Sequence, residues 1–351
     1  MKPVSAAARK RASTEPVIHT ITSLREHLQT AIEVEHFTIP AYLCALYSIR
    51  EGANAAAAKV IKSVVMEEML HMTLAANVLN AVGGHPRINV EGFVPSYPAH
   101  LPHSGKRFKV SLATFSRETV DIFLKIEKPA KPKAPPEANN FDTIAQFYEA
   151  IEDGLTWLCR TPGKEQEVFS GKRALQITPE YYYGGGGQVI EVHNLETALK
   201  ALQTIVDQGE GIHHTIFDGD KQIFGQEREY AHYFRFNEIH KGRSYNPNDT
   251  PRSGPTGPKF PVDWNDVYEM RPNPKAADYP AGSENRQKLD EFNRAYMRLL
   301  DTLHRAFNGQ PRLLVNAVGV MYDLKYLAAA LMKIPSGKGK TTVGPSFEYA
   351  P

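Results

Sequence analysis

Residues 67–86 read EEMLHMTLAANVLNAVGGHP, and the fold turns on them. Glu68 and His71 stand three apart, a spacing that puts both side chains on one face of a helix. That face continues an apolar stripe of Val60, Ile61, Val64 and Val65 toward Met72, Ala75, Val78 and Leu79. The stripe predicts a helix from about Asn54 to Ala81, stopped by Gly83 and Gly84. A carboxylate inside an apolar stripe costs several kcal/mol unless something partners it. Glu68 has the right offset to His71, and Glu67 is the fallback at this position.

Working outward, an apolar helical period at Leu24, Leu28, Ala31, Ile32, Ile39, Tyr42, Leu46 and Ile49 predicts a long helix over about 20–51. Pro40 makes a kink in it an expectation. Downstream, 85–193 is rich in Pro and Gly, with KIEKPAKPKAPPEANN as a loop, a short helix over about 141–158 and an aromatic-glycine loop, YYYGGGG, at 181–187. A third long helix starts at Asn194, a good N-cap, and runs to about Ile216. A fourth spans about 226–241, followed by a Pro/Asn/Gly-rich connection. A last pair covers about 284–307 and 311–334, with Pro311 at a helix start. The expected organisation is all-α. Residues 1–18 form a disordered tail and 19–335 a single domain, comprising a first helix pair at 19–84, a loop-rich excursion at 85–193, a second pair at 194–242 and a C-terminal pair at 284–335. Residues 336–351 form an extended tail.

Bundles that hold two metal ions between carboxylates need one Glu from each of two helices and a Glu-x-x-His from each of the other two. The chain offers Glu68/His71 on its second helix and Glu229/His232 on its fourth. On the first helix, Glu35 falls inside the stripe of Leu28, Ala31, Ile39 and Tyr42, whereas Glu33 falls on the far side. On the third, Glu210 shares a side with Leu199 and Val206. His213 follows it by one turn, as an extra ligand or a residue supporting one. The candidate metal set is therefore Glu35, Glu68, His71, Glu210, Glu229 and His232. A lone Glu-x-x-His is common on solvated helix faces; the weight rests on six residues fitting the template in chain order. Gly209 and Gly211 flank Glu210 and disfavour helix there. Arg235, one turn from His232, reads as a surface residue or a clamp for a substrate carboxylate, and Glu238 as a surface or salt-bridge residue.

The rest of the composition mostly excludes. A formal net charge of +2 gives no general field for nucleic acid. Two cysteines, Cys44 and Cys159, cannot build a disulfide framework or a thiolate zinc cluster and read as core thiols. No apolar run is read as reaching the length of a membrane span, and MKPVSAAARKRAST lacks the apolar stretch of a secretory signal. The corresponding expectations are a cytoplasmic protein with a small-molecule substrate and no nucleic-acid or membrane partner. A homo-oligomer or a partner enzyme is compatible with the sequence.

The segments IEVEHFTIPAYLCALYSI, EEMLHMTLAANVLNAVGGHP, IVDQGEGI and AHYFRFNEI, with FYEAI, YYYGGGG and the closing GPSFEY, resemble the ferritin-like domain of the iminophenylpyruvate dimer synthases of violacein- and rebeccamycin-type pathways. The resemblance runs over most of residues 20–350. It implies a ferritin-like four-helix bundle with a long crossover excursion between helices 2 and 3 and an additional C-terminal helical pair. It also implies two iron ions at the six residues named, with manganese or a mixed pair as alternatives, and O2 or peroxide as co-substrate. The implied activity is a dimetal oxidase or oxygenase of a small aromatic or amino-acid-derived metabolite, with oxidative coupling of aryl imino acids as one version. The alternative is an iron-binding ferroxidase without an organic substrate.

Overall fold

The computed structural model describes residues 15–212, 215–220 and 229–350. Among these, eight helices have ten residues or more: α1 (Ile21–Ser48), α2 (Ala55–Ala81), α3 (Arg117–Ile126), α4 (Ile144–Cys159), α5 (Leu195–Glu210), α6 (His232–Lys241), α7 (Glu284–Phe307) and α8 (Leu313–Leu331). Extended segments meet only in isolated bridges.

α1 starts at Thr20, whose side chain accepts the Ser23 N–H, and runs through Pro40 without a break. It is buried on nearly every side, the mark of a helix enclosed by others. One face lies on α2. α4 and α8 also pack on α1, and α7 lies across α2. The pair α7/α8 thus adds a second layer to the bundle. His36 marks the seam, its Nε2 2.6 Å from the Tyr296 hydroxyl of α7, while Glu35 beside it points the opposite way. α5 and α6 pack on α2 and on each other, α4 packs on α5, and α3 on α6.

Three features depart from the sequence reading. The excursion contains α3, an amphipathic helix capped by Ser116 that buries Val120, Phe123 and Ile126. α5 begins at Asn194, whose side chain and that of Thr197 form a capping box, but it stops at Glu210 rather than near Ile216. The stop is Gly211, at φ 94°, where a Cβ would lie 2.4 Å from the Thr215 carbonyl oxygen. α6 begins at His232, not near residue 226. Before it, Glu229 and Ala231 pair through their backbones with Asp218 and Ile216.

At the chain's ends, Ile18 is already buried and sits against Gly154 of α4; residues 1–14 lie outside the described residues. Residues 341–349 form no regular element beyond a bridge at Thr342 and bury Val343 and Phe347, the latter edge-on to Phe292 and Tyr296. By length and composition alone α8 is apolar enough to cross a membrane, contrary to the sequence reading, and 22% of that window is buried. It packs along α7 and leaves Val315, Tyr322 and Tyr326 exposed.

Candidate metal centre

Glu35 of α1, Glu68 and His71 of α2, and His232 at the first turn of α6 converge in the bundle interior. A fifth residue joins them: Glu127, which caps the C-terminus of α3. None of the five is more than 4% exposed. Their donor atoms form two groups, each within 4.8 Å: Glu35, Glu68 and His71, and Glu68, Glu127 and His232. Glu68 belongs to both. The two imidazoles stack with ring centroids 5.4 Å apart.

Each carboxylate is oriented the same way, one oxygen held from outside and the other turned inward. The Tyr148 hydroxyl donates to Glu35 Oε1, and Glu35 Oε2 lies 3.4 Å from His71 Nδ1. Thr38 Oγ1 donates to Glu68 Oε2 at 2.9 Å, leaving Oε1 3.0 Å from His232 Nδ1. Tyr42 donates to Glu127 Oε1 in a very short bond, and Oε2 sits 3.5 Å from the same His232 nitrogen. Burial first, and then the neighbouring carboxylates, push both phenols well above their ordinary pKa. They therefore remain neutral donors.

The imidazoles are fixed from behind. His71 Nε2 bonds Gln208 Oε1 at 2.8 Å. The Gln208 amide donates to Asp220 Oδ2 and the Gly186 carbonyl. Because that amide donates through nitrogen, its oxygen accepts, so His71 carries a proton on Nε2 and turns Nδ1 inward, where burial lowers its pKa but Glu35 outweighs that and raises it. His232 Nε2 bonds Glu67 Oε2 at 2.7 Å, and Arg235 grips Glu67 through both terminal nitrogens. Its Nδ1 makes no hydrogen bond of acceptable geometry and faces Glu68 and Glu127. Burial alone would raise the Glu67 carboxyl, but the Arg235 guanidinium and His232 outweigh it and hold it at about 2.

Glu67 is therefore a support for His232 rather than a substitute for Glu68, and Arg235 is buried rather than on the surface. The glycine loop of 181–187 is part of the same support. Gly186, at φ 77°, lies so close to α2 that a Cβ would sit 2.5 Å from the Met66 carbonyl oxygen.

Two expected residues sit differently. Glu229 is not on the helix that carries His232, so the i, i+3 spacing does not place it on the same face. Its side chain is 57% exposed, 3.7 Å from Arg235. Glu210 lines the same cavity, but both its oxygens are taken: Oε2 by the Ala130 N–H at 2.6 Å and Oε1 by the Ala145 N–H at 2.9 Å. Burial pushes its carboxyl up to about 8. Glu238 is buried and accepts the Tyr245 N–H. His213 lies outside the described residues. Glu127 left one signal in the sequence, a glutamate directly after a Ser-capped amphipathic run, SRETVDIFLKIE.

Three clustered carboxylates with two inward-turned imidazole nitrogens fit a pair of cations. In their absence, burial and then the Glu127 carboxylate push the Glu68 carboxyl up to about 7. Oxygen-rich ligation with imidazole suits iron or manganese over copper.

The family model described as Ferritin-like matches residues 28–241, from α1 to the end of α6. The chain belongs to the Ferritin-like family. It is 26% identical over 330 residues to a dichlorochromopyrrolate synthase of Lentzea aerocolonigenes, a match covering 81% of this chain and 29% of the relative. It is 23% identical over 367 residues to a 2-imino-3-(indol-3-yl)propanoate dimerase of Chromobacterium violaceum, covering 93% of this chain and 34% of that one. The chain thus spans about a third of the length of the curated relatives it matches. A ferritin-like protein from Caulobacter vibrioides superposes with a TM-score of 0.65 at 21% identity, over 95% of this chain and all of that one. This last likeness concerns the fold alone.

Proposed function

We propose that this Ferritin-like chain is an oxidoreductase. It binds a pair of iron ions, with manganese or a mixed pair as alternatives, and acts on a small aromatic or amino-acid-derived metabolite with O2 or peroxide as co-substrate. The observation that carries the reading is the pair of overlapping donor groups that share Glu68. When bound, two redox-active ions supply the electron transfer that such an oxidation needs.

The residues of the chain supply the rest. Glu35, Glu68 and Glu127 would hold the cations and neutralise their charge, Glu68 being common to both donor groups. His71 and His232 present Nδ1, their protons directed outward by Gln208 and Glu67. Tyr148, Thr38 and Tyr42 hold the outer carboxylate oxygens, so the inner ones keep their aim as charge at the centre changes. Surrounding apolar side chains, Ile126, Ile144, Ile205 and Val206 among them, keep water from the centre. The names of the two curated relatives favour a substrate derived from an aromatic amino acid, and oxidative coupling of aryl imino acids is the specific version they suggest.

The test is anaerobic loading with Fe(II), metal analysis, then rapid mixing with O2 while absorption is followed. About two irons per chain and transient absorption bands on mixing are the expected result. A chain that takes up no transition metal under these conditions would overturn the reading.

A further inference from the structure

Two larger hollows lie near the centre, and only one adjoins it. An apolar cavity of about 70 Å3 between α1, α2, α7 and α8 shares no lining residue with the metal cavity. A cleft of about 260 Å3 between residues 101–108, the end of α3 and residues 141–144 shares two, Ile126 and Ile144. Ile126 directly precedes Glu127, and Ile144 directly precedes Ala145, whose N–H holds Glu210. A thin apolar partition therefore separates the cleft from the donor groups.

The cleft has two kinds of wall. Leu101, Phe108, Phe141 and the two isoleucines are apolar; Arg107, Lys125 and Lys128 are cationic. Arg107 is ion-paired with Asp142. Lys125 and Lys128 are exposed and make no ion pair among the described residues. They bracket Ile126 and Glu127 in the run KIEK, so two cations stand at the mouth while the carboxylate between them faces inward. Lys131 and Lys133 line a neighbouring hollow that shares Lys128 and Asp142 with the cleft and also carries Glu137. In a chain of net charge +2 these lysines are a local concentration, and such a rim attracts anions and orients them on entry. By size, about 260 Å3 accommodates a ring and a short polar arm, since benzene fits an apolar cavity of about 150 Å3.

We propose that this cleft is the substrate entrance of the metal centre. It takes an organic anion with a ring-sized apolar body, the carboxylate on Lys125 and Lys128 and the body against Ile126 and Ile144. The inference rests on the proposed function and adds to it the charge, shape and approach of the substrate.

The test uses the full chain with phenylacetate and its neutral analogue phenylacetamide, binding being measured by calorimetry on metal-free and metal-loaded protein. Phenylacetate should bind at millimolar concentration or below and weaken as salt is raised. The Lys125→Met/Lys128→Met double variant should lose about tenfold or more in affinity for the acid, while its weak affinity for the amide stays unchanged. Lys125→Arg/Lys128→Arg should restore binding of the acid. The exposed positions make misfolding no obstacle, and metal content should be the same in all variants. Undetectable phenylacetate binding, equal binding of acid and amide, or binding indifferent to the Met pair would each overturn the entrance and leave the metal reading standing. Lysine-dependent phenylacetate binding by a chain that takes up no metal would instead overturn the proposed function.

Discussion

Replacing Glu67 with alanine removes two things at once, and the structure says how much each is worth. Arg235 and Glu67 are both buried, and Arg235 grips the carboxylate through two nitrogens. Without it, among the described residues the guanidinium keeps Ser63, the half-exposed Glu229 at 3.7 Å and the charge of Asp218. Stranding one partner of a buried pair costs about 3–5 kcal/mol, and His232 Nε2 loses its acceptor as well. Against a domain stability of about 5–15 kcal/mol, the variant should still fold, but with a clearly lower urea midpoint. Glu67→Gln keeps an acceptor oxygen while removing the charge and should lose about 1–3 kcal/mol. The second effect concerns metal. With its ring no longer held from behind, the donor group of Glu68, Glu127 and His232 should lose about 10–100-fold in affinity, while the group of Glu35, Glu68 and His71, backed by Gln208, changes less. Urea unfolding gives the first quantity, and competition titration with a chromophoric chelator the second. A Glu67→Ala protein within about 0.5 kcal/mol of the parent, with both metals bound as before, would refute the roles given to Glu67 and Arg235.

Glu127→Ala should cut metal content from about two ions per chain to about one, whereas Glu229→Ala should leave metal content intact and stability within about 0.5 kcal/mol; metal analysis of the two variants decides between a helix α3 ligand and the i, i+3 pairing of α6. His71→Ala should lose metal yet keep its helical circular dichroism, because the apolar stripes rather than the imidazole hold α2. Glu210→Ala should cost about 1–3 kcal/mol for each of the two N–H groups it strands, read by chemical denaturation. Without metal, stability should fall as pH rises from about 4.5 to about 8 and level off above that. Glu68, Asp207, Asp220 and Glu210, pushed by burial to about 7, 7, 7 and 8, bind protons in the folded chain that the unfolded chain has already released; melting curves in a chelator that showed the opposite slope would contradict this.

What could be read from the sequence was whatever sat on a long periodic helix. Glu35, Glu68 and His71 lie on stripes 27 or 28 residues long, where a carboxylate in the wrong place stands out and its facing direction follows from the 3.6-residue period. Two differences from the sequence reading lie on short elements. α3 has ten residues and lies between proline- and glycine-rich stretches, so its two-turn stripe reads as loop, and Glu127 at its end passes unnoticed. Glu229 and His232 have a spacing that means something only if both are helical. The chain instead pairs Glu229 with Asp218 through the backbone and starts α6 three residues later. A template that assigns one glutamate to every helix selects Glu210 and passes over Glu127, and both line the cavity. Arg235 was misjudged for a related reason: burying an arginine is unfavourable on average, and its partner Glu67 sits on another helix, 168 positions away.

The position of Glu127 beside His232 has a consequence for how the centre is assembled. Three of the five converging residues belong to the α1/α2 pair, which packs as one unit and carries Glu35, Glu68 and His71, with Tyr148 of α4 and the Gly186 loop supporting them from outside. The second donor group is incomplete until α3 docks on α6, because Glu127 arrives from one and His232 from the other. Glu210 reinforces that docking from α5, its two oxygens tying Ala130 just beyond α3 and Ala145 at the start of α4 to the bundle. The same two ties flank Lys128 and Ile144, which line the cationic cleft. The segment that completes the second donor group is therefore also the wall past which an anion would enter. A carboxylate movement at Glu127 or Glu210, whose neighbours Ile126, Lys128 and Ile144 line the cleft, would be felt there. Geometry and access are thus coupled on the α3 side of the centre.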